Sequence, residues 1–483
     1  MHREDALFIG GRWAPPSTDA VIEVISPHTE APVARVAAAG RDDVNAAVGS
    51  ARAAFDAGPW PRLDPSERID AVRRLAHVYG ERRSEMADLI TAEMGAPITF
   101  AGRAQVSLPW TMINAFCDLA EAHPWQEMRR GLYGADIHIR KEPVGVVAAI
   151  VPWNMPQFLI VTKLVPALLA GCSVVVKPAA ESPLDALLLA KLLDEIGLPR
   201  GVVSVLPGDA TAGEHLVGHP GVDKVSFTGS TAAGKHVATA CAAGLKKVSL
   251  ELGGKSAAII LADADPAAVA SGIRSASLSN GGQLCNALTR VLVPASRSDV
   301  FVDALAAELR ALRVGDPADP TTQLGPLVTR RHRRRVTDYI AAGQCEGARL
   351  VVGGPGMPPG IERGWYVQPT LFSDADNDMR IAREEIFGPV LTVIPYDAED
   401  DAVRIANDSD YGLAGSVWTD DLDHGFAVAT RIRTGTFGVN QGYTMDPYAP
   451  FGGVKASGYG RELGREGIDG YLDIKSIAVA TRR

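Results

Sequence analysis

An α/β fold built on parallel sheets is what this chain's pattern predicts, and three observations carry that expectation. From Val144 onward, apolar runs alternate with helical segments, a β-α-β pattern that calls for right-handed crossovers and a sheet covered on both faces. A second α/β series runs from Ser256 to about Gly453. With 483 residues, 46% of them hydrophobic, the chain can bury large cores and is expected to split into two or three domains.

In chain order, Asp42 to Ala57 and Pro65 to Glu93 carry the spacing of amphipathic helices, the second opening on a Pro and a Ser that favour helix entry. Asp136 to Arg140 alternates polar and apolar residues as a strand does, with Gly131 and Gly134 as turn residues. Then come strand Val144 to Val151, helix Val161 to Leu169, strand Ser173 to Lys177 and helix Pro183 to Ile196. Strand Val202 to Leu206, helix Thr211 to Val217, strand Lys224 to Phe227 and strand Lys247 to Leu250 follow. The tail ends in a strand, Ile474 to Val479.

Composition excludes several classes. A net charge of −9 argues against nucleic-acid or anionic-membrane partners. The basic run Arg330-Arg331-His332-Arg333-Arg334-Arg335 leads into Val336, Tyr339 and Ile340, spaced as one helix face, and reads as a solvated, oligomer-facing or salt-bridged face rather than a binding patch. Five cysteines at irregular spacing make neither a disulfide framework nor a zinc pattern, so no metal is expected. Phe158 to Val176 is about long enough to cross a bilayer, but Lys163, Pro166 and Gly171 interrupt it, and a helix followed by a buried strand fits better. The acidic N-terminus does not read as a signal peptide, and a reducing cytoplasm is the expected setting.

The chemistry concentrates in three segments. Cys285 sits in Gly281-Gly282-Gln283-Leu284-Cys285-Asn286, where a tight glycine backbone can bring N–H groups to the sulfur. Glu251, in Glu-Leu-Gly-Gly-Lys, lies 34 residues earlier and offers a general base. Asn154, in Val151-Pro152-Trp153-Asn154, offers an amide. Alone, each has a plain structural reading: a buried apolar thiol, a strand-end acid, a turn residue or helix cap. Together they supply the nucleophile, base and oxyanion donor of an acyl-transfer site. In that order and spacing they resemble the aldehyde dehydrogenase superfamily.

The resemblance spans nearly the whole chain and implies an aldehyde-dehydrogenase-like α/β fold, two Rossmann-like parallel-sheet domains plus a small β oligomerisation projection. It places the cofactor-binding domain at 1–122 and 142–253, the catalytic domain at 254–470 and the projection at 123–141 and 471–483. Such a projection implies a homo-oligomer, a dimer of dimers, and an isolated hairpin indeed needs a partner to cover it. Lys163 and Glu462 match the family's proton-relay positions.

For the cofactor, Gly-x-Gly-x-x-Gly is absent from the first βα turn, Lys177-Pro178-Ala179-Ala180. Phe227-Thr228-Gly229-Ser230 instead turns from a strand into a helix start suited to a pyrophosphate. The resemblance implies NAD held by Val151, Pro152, Trp153, Lys177, Ala179, Ala180, Gly208, Gly213, Phe227, Thr228, Gly229, Ser230, Glu251, Leu252, Gly253, Cys285, Glu385 and Phe387. Ala180 stands where a glutamate often holds the ribose 2′-hydroxyl, with Glu181 one residue on, so NADP is expected to be tolerated.

By the same resemblance the substrate tunnel is lined by Met155, Phe158, Leu159, Thr162, Leu284, Asn286, Tyr443, Met445 and Phe451. None is an arginine or lysine, so an apolar aliphatic, terpenoid or aromatic aldehyde is expected, with a wide tunnel at Thr162. The product is expected to be a carboxylic acid, made through a cysteine thiohemiacetal and thioester. The alternatives are a CoA-acylating or phosphorylating relative, which tends to lack the acid at 251, and a non-catalytic structural or redox-binding protein on the same fold.

Overall fold

The computed structural model describes residues 2–480; Met1 and residues 481–483, the ends of the expected cofactor domain and projection, lie outside them. Two large mixed sheets form the centre. The eight-stranded sheet runs in the order Gly458–Tyr459, Lys247–Glu251, Lys224–Thr228, Val146–Ile150, Ser173–Lys177, Val203–Val205, Leu7–Ile9, Arg12–Ala14. Its five middle strands are parallel, while antiparallel strands close both edges. The middle strands are rich in Val and Ala and mostly buried, as expected where helices cover both faces.

From Val146–Ile150 the chain steps one way to Ser173–Lys177 and Val203–Val205, then returns to Lys224–Thr228 on the other side. The order therefore reverses between Val146–Ile150 and Lys224–Thr228. In open α/β sheets a ligand crevice forms at the carboxyl ends flanking such a reversal. Residues 151–155 and 228–230 lie there.

The second sheet has seven strands, ordered Arg349–Val352, Thr370–Ser373, Val390–Tyr396, Arg290–Pro294, Ala257–Ile260, Gly415–Trp418, Gly438–Val439, parallel apart from the first pair. A three-stranded antiparallel sheet joins Leu472–Val479 to Asp136–Pro143 and Gln126–Arg130. Several apolar side chains of this sheet and its hairpin stand in solvent, while Ile139 and Leu472 are buried: Ile474 is 72% exposed and Tyr133, at the hairpin tip, 97%. A further small sheet, His2–Glu4, Pro32–Ala37 and Val21–Ile25, was not anticipated from the pattern.

Two helices differ from expectation. The segment expected as one helix from Pro65 to Glu93 is two, Pro65–Glu81 and Arg83–Met94, because Arg82 leaves helical geometry at φ −106° and its N–H bonds back to the Tyr79 carbonyl. The helix after Asn154 is longer than its periodicity indicated, Pro156–Ala170, with Pro156 in its first turn where a missing N–H costs nothing. Gly171 ends it at φ +95° and strand Ser173–Lys177 follows, so the apolar stretch is a buried helix and a strand. No helix among the described residues is long and apolar enough to cross a membrane.

Candidate active site

A cavity of about 1000 Å³ opens where the two large sheets meet. One wall is made by the carboxyl ends of Val146–Ile150 and Lys224–Thr228, which deliver Pro152, Trp153, Asn154, Thr228, Gly229 and Ser230. Glu251, Leu252 and Gly253 come from the end of Lys247–Glu251. Leu284, Cys285 and Asn286 come from the loop leading into strand Arg290–Pro294.

That loop is shaped by backbone conformation. Asn280, Gly281 and Gly282 take successive φ values of +55°, +68° and +72°. A Cβ at Gly282 would lie 2.2 Å from the Gly388 carbonyl oxygen, so only glycine fits. Asn280 tolerates the left-handed region and uses its amide to donate to the Asn154 carbonyl at 2.8 Å. Asn154 Nδ2 in turn donates to the Gln283 carbonyl at 2.9 Å. The oxyanion-donor candidate and the thiol loop are thus tied together through backbone carbonyls.

Cys285 is half-buried, and the N–H groups of Cys285 and Asn286 both reach its sulfur. Burial, then the nearby Glu251 and Glu385 carboxylates, pushes the thiol up to about 12. The carboxylate contribution weakens as those groups take up protons. Burial, then the charge of Glu462, holds Glu251 well above the usual carboxylate range, and both its oxygens are buried without a hydrogen-bond partner among the described residues. Burial pushes Glu385 up to about 7. The resting sulfur is therefore a thiol, beside an acid whose affinity for a proton is raised. A Cβ at Gly452 would lie 2.7 Å from Glu251 Oε1, so a glycine is needed to make room for that carboxylate.

Glu462 lines the cavity and is 3% exposed. Lys163, fully buried behind it, forms an ion pair with Glu462 Oε1 and donates to Thr228 Oγ1 at 2.7 Å. Thr162, expected in the substrate tunnel, is not there. It is fully buried, and its hydroxyl donates to Glu462 Oε2 at 3.0 Å, so it faces the ion pair and leaves the tunnel width untouched. Met155, Phe158, Leu159, Tyr443, Met445 and Phe451 do line the cavity.

None of the nine expected tunnel residues is an arginine or lysine, but the cavity as a whole also takes Arg103 and Arg335 into its wall. The π-helical segment Ala101–Ser107 had no sequence signal tying it to this site.

Glu385 and Phe387 sit on the cavity wall, held from behind. Gly254 N–H donates to Glu385 Oε1 at 3.0 Å, and Arg335 Nη2 donates to the Glu385 carbonyl at 2.6 Å. His332 Nε2 lies 2.7 Å from the Phe387 carbonyl. Burial lowers the imidazole to about 4, so it is neutral at pH 7 and carries its proton on Nε2 to make this bond. Trp153, His332 and Phe387 pack edge to face, with ring centroids 5.4–5.9 Å apart. Phe387 itself has φ +63°, uncommon for a bulky residue and sustained by these neighbours. The basic run was legible. That its members at positions i and i+3 grip a loop 50–55 residues away was not.

Seven other expected cofactor residues lie off the cavity wall. Val151 and Phe227 are buried behind it, the Phe227 ring 2.6 Å from where a Gly229 Cβ would stand. Lys177, Ala179, Ala180, Gly208 and Gly213 lie further along the carboxyl edge of the same sheet. Lys177 is buried, and a Cβ on Gly213 would meet its stem at 3.4 Å.

The match to known proteins is extensive. A model of the aldehyde dehydrogenase family covers residues 13–477. The chain belongs to the aldehyde dehydrogenase family. Among curated relatives, a geranial dehydrogenase of Castellaniella defragrans is 47% identical over 471 residues, 98% of each chain. A 3-succinoylsemialdehyde-pyridine dehydrogenase of a Pseudomonas species is 43% identical, again over 98% of both. An aldehyde dehydrogenase of Mycobacterium tuberculosis, solved with NAD+, superposes with a TM-score of 0.97 at 49% identity over 99% of both chains. A cysteine-to-alanine mutant of aldehyde dehydrogenase C from Pseudomonas syringae, solved with NAD+ and octanal, gives 0.95 at 44% identity, covering 99% of this chain and 98% of that one. The fold is that of aldehyde dehydrogenases.

Proposed function

We propose that the chain oxidises an apolar aliphatic, terpenoid or aromatic aldehyde to its carboxylic acid with NAD, through a thioester on Cys285. The observation that carries this reading is one cavity lined by Cys285, Asn154, Glu251 and Glu462 together with Ser230, Glu385 and Phe387. The relatives' named aldehydes, geranial and octanal, agree with the apolar wall.

The residues fit a dinucleotide. Ser230 caps the 13-residue helix Thr231–Ala243, and Thr228, Gly229 and Ser230 at its start line the cavity, where a helix N-terminus favours a phosphate. Glu181 and Asp209 both act electrostatically on Lys177. Two acids at that edge oppose a 2′-phosphate, which supports NAD over NADP. Bound NAD supplies a nicotinamide ring that accepts hydride. Everything else is the protein's work. Glu251 takes the thiol proton as Sγ adds to the aldehyde carbon. The oxygen of that adduct gains charge and is held by the Cys285 N–H and the free N–H of Asn154 Nδ2. After hydride loss the thioester meets water, deprotonated by Glu251, and the thiolate leaves. The Glu462–Lys163 pair behind Glu251 offers a route onward for the proton.

We place the domain division at 1–122 with 142–253 and then 254–470; the partition of strands between the two large sheets supports it, apart from Gly458–Tyr459, which pairs into the first sheet. The exposed three-stranded sheet supports a homo-oligomer, a dimer of dimers, and a monomeric mass on sedimentation would rule it out. Five free cysteines support a reducing, cytoplasmic setting.

Cys285→Ala tests the central claim. Turnover of aldehyde is expected to vanish while NAD affinity by calorimetry stays within about twofold. Acid formed without added coenzyme A or phosphate separates this reading from an acyl-transferring relative. Failure to reduce NAD or NADP across an aldehyde panel would favour a non-catalytic role.

A further inference from the structure

The charges on the cavity wall are unevenly committed. Glu251, Glu385 and Glu462 belong to the catalytic and cofactor groups described above, and Arg335 is spent on the Glu385 carbonyl and the Tyr339 ring. Arg103 is different. It stands with Phe100, Ala104 and Leu108 on the segment that completes the wall beside the apolar substrate residues. It is exposed, and its guanidinium has no hydrogen bond or ion pair among the described residues. Other arginines among the described residues do hold carboxylates, for example Arg73 with Asp118 and Glu121, and Arg383 with Asp378 and Asp408.

The segment that carries Arg103 is fixed relative to the reacting end. Ala101–Ser107 is a π-helical turn, a geometry that widens the helix and recurs at functional sites. Ser107 Oγ donates to the Gly102 carbonyl at 2.7 Å, which braces that turn. Gln105, two residues from Arg103, is fully buried with its amide 3.5 Å from Asn280 Oδ1, and Asn280 holds the Asn154 carbonyl. A single chain of contacts thus links the arginine's backbone to the Asn154–Cys285 loop.

We propose that Arg103 is a specificity residue that receives an anionic far end of the substrate, so that the chain prefers aldehydes with an apolar body and a distal carboxylate. This rests on the dehydrogenase reading above and departs from its wholly apolar substrate, because Arg103 supplies the cation that an anionic end requires. A planar fork of N–H donors matches a carboxylate in two-point fashion, and an always-charged guanidinium needs no proton from its surroundings. Phe100, Leu108, Phe158 and Leu159 line the same cavity as Arg103 and Cys285, and this apolar surface accommodates the body of such a molecule without competing for either end. Because the arginine is exposed, its contribution is modest and weakened by salt.

The test uses matched pairs on the full-length enzyme: para-tolualdehyde against para-carboxybenzaldehyde, and octanal against the oxo acid of equal chain length. The readout is the acid-to-neutral ratio of kcat/KM. In Arg103→Gln that ratio is expected to fall about twofold to fivefold, carried by KM for the acid rather than by kcat. Arg103→Lys, which keeps the charge but loses the fork, should fall between. Raising salt should lower the ratio in the wild type and barely move it in Arg103→Gln. An unchanged ratio in Arg103→Gln overturns the assignment and leaves the dehydrogenase reading intact. If the wild type oxidises neither member of either pair, the dehydrogenase reading fails and the assignment falls with it.

Discussion

Replacing Asn154 by alanine gives the sharpest test of the catalytic geometry. The side-chain amide has two N–H donors, and one is committed to the Gln283 carbonyl at 2.9 Å. The other is left for the cavity that Cys285 also lines. Removing an oxyanion donor of this kind costs about 2.7–4 kcal/mol of transition-state stabilisation, a loss of about 100-fold to 1000-fold in kcat. A second cost falls on stability. Gln283's carbonyl would keep only the long 3.5 Å contact from Asn280, and a buried acceptor so deprived costs about 1–3 kcal/mol. Stopped-flow measurement of NADH formation reads the first effect, and urea unfolding reads the second. Because the oxyanion forms before hydride loss, the pre-steady-state burst should slow along with the steady state. If Asn154→Ala keeps more than about a tenth of wild-type kcat with its burst intact, the amide does not stabilise the oxyanion.

Two further substitutions probe the supporting groups. Glu251→Gln should slow deacylation most and also slow the burst of NADH, since the thiol and the attacking water lose the same base; an unchanged steady state would contradict the role. The same variant has a stability signature. Because the native carboxyl binds its proton more tightly than the unfolded one, the native state holds more protons above the ordinary carboxylate range, and stability falls as pH rises. Glu251→Gln removes that slope, so its stability relative to wild type should grow as pH rises above the ordinary carboxylate range. His332→Ala removes the bond to the Phe387 carbonyl and two ring contacts, together about 1–2 kcal/mol. NAD affinity by calorimetry should weaken about fivefold to thirtyfold. An unchanged Kd would mean the loop keeps its shape unaided.

Much of the fold was legible because local pattern and burial coincide. Strand Ser173–Lys177 is recovered to the residue, since its apolar run is bounded by Gly171 and Pro178. Helix Pro65–Glu81 was run together with its successor because the break at Arg82 removes no apolar residue from the shared face. The chemistry-bearing residues were equally legible: cysteine among glycines, a glutamate before two glycines and an asparagine after Pro-Trp are unusual settings for those side chains.

What the linear pattern could not decide is which way a side chain turns once elements pack. Thr162 and Leu159 share one helix, yet Leu159 reaches the cavity while Thr162 turns to Glu462, 300 residues away in sequence. Arg103 and the His332–Arg335 face join the site only because distant segments close around it. Spacing and residue type carry the main elements, the parallel direction of the core strands and the reactive groups. The site's charge and its supports arise from packing, because contacts across tens to hundreds of residues are set by how two sheets meet and leave no local period to read.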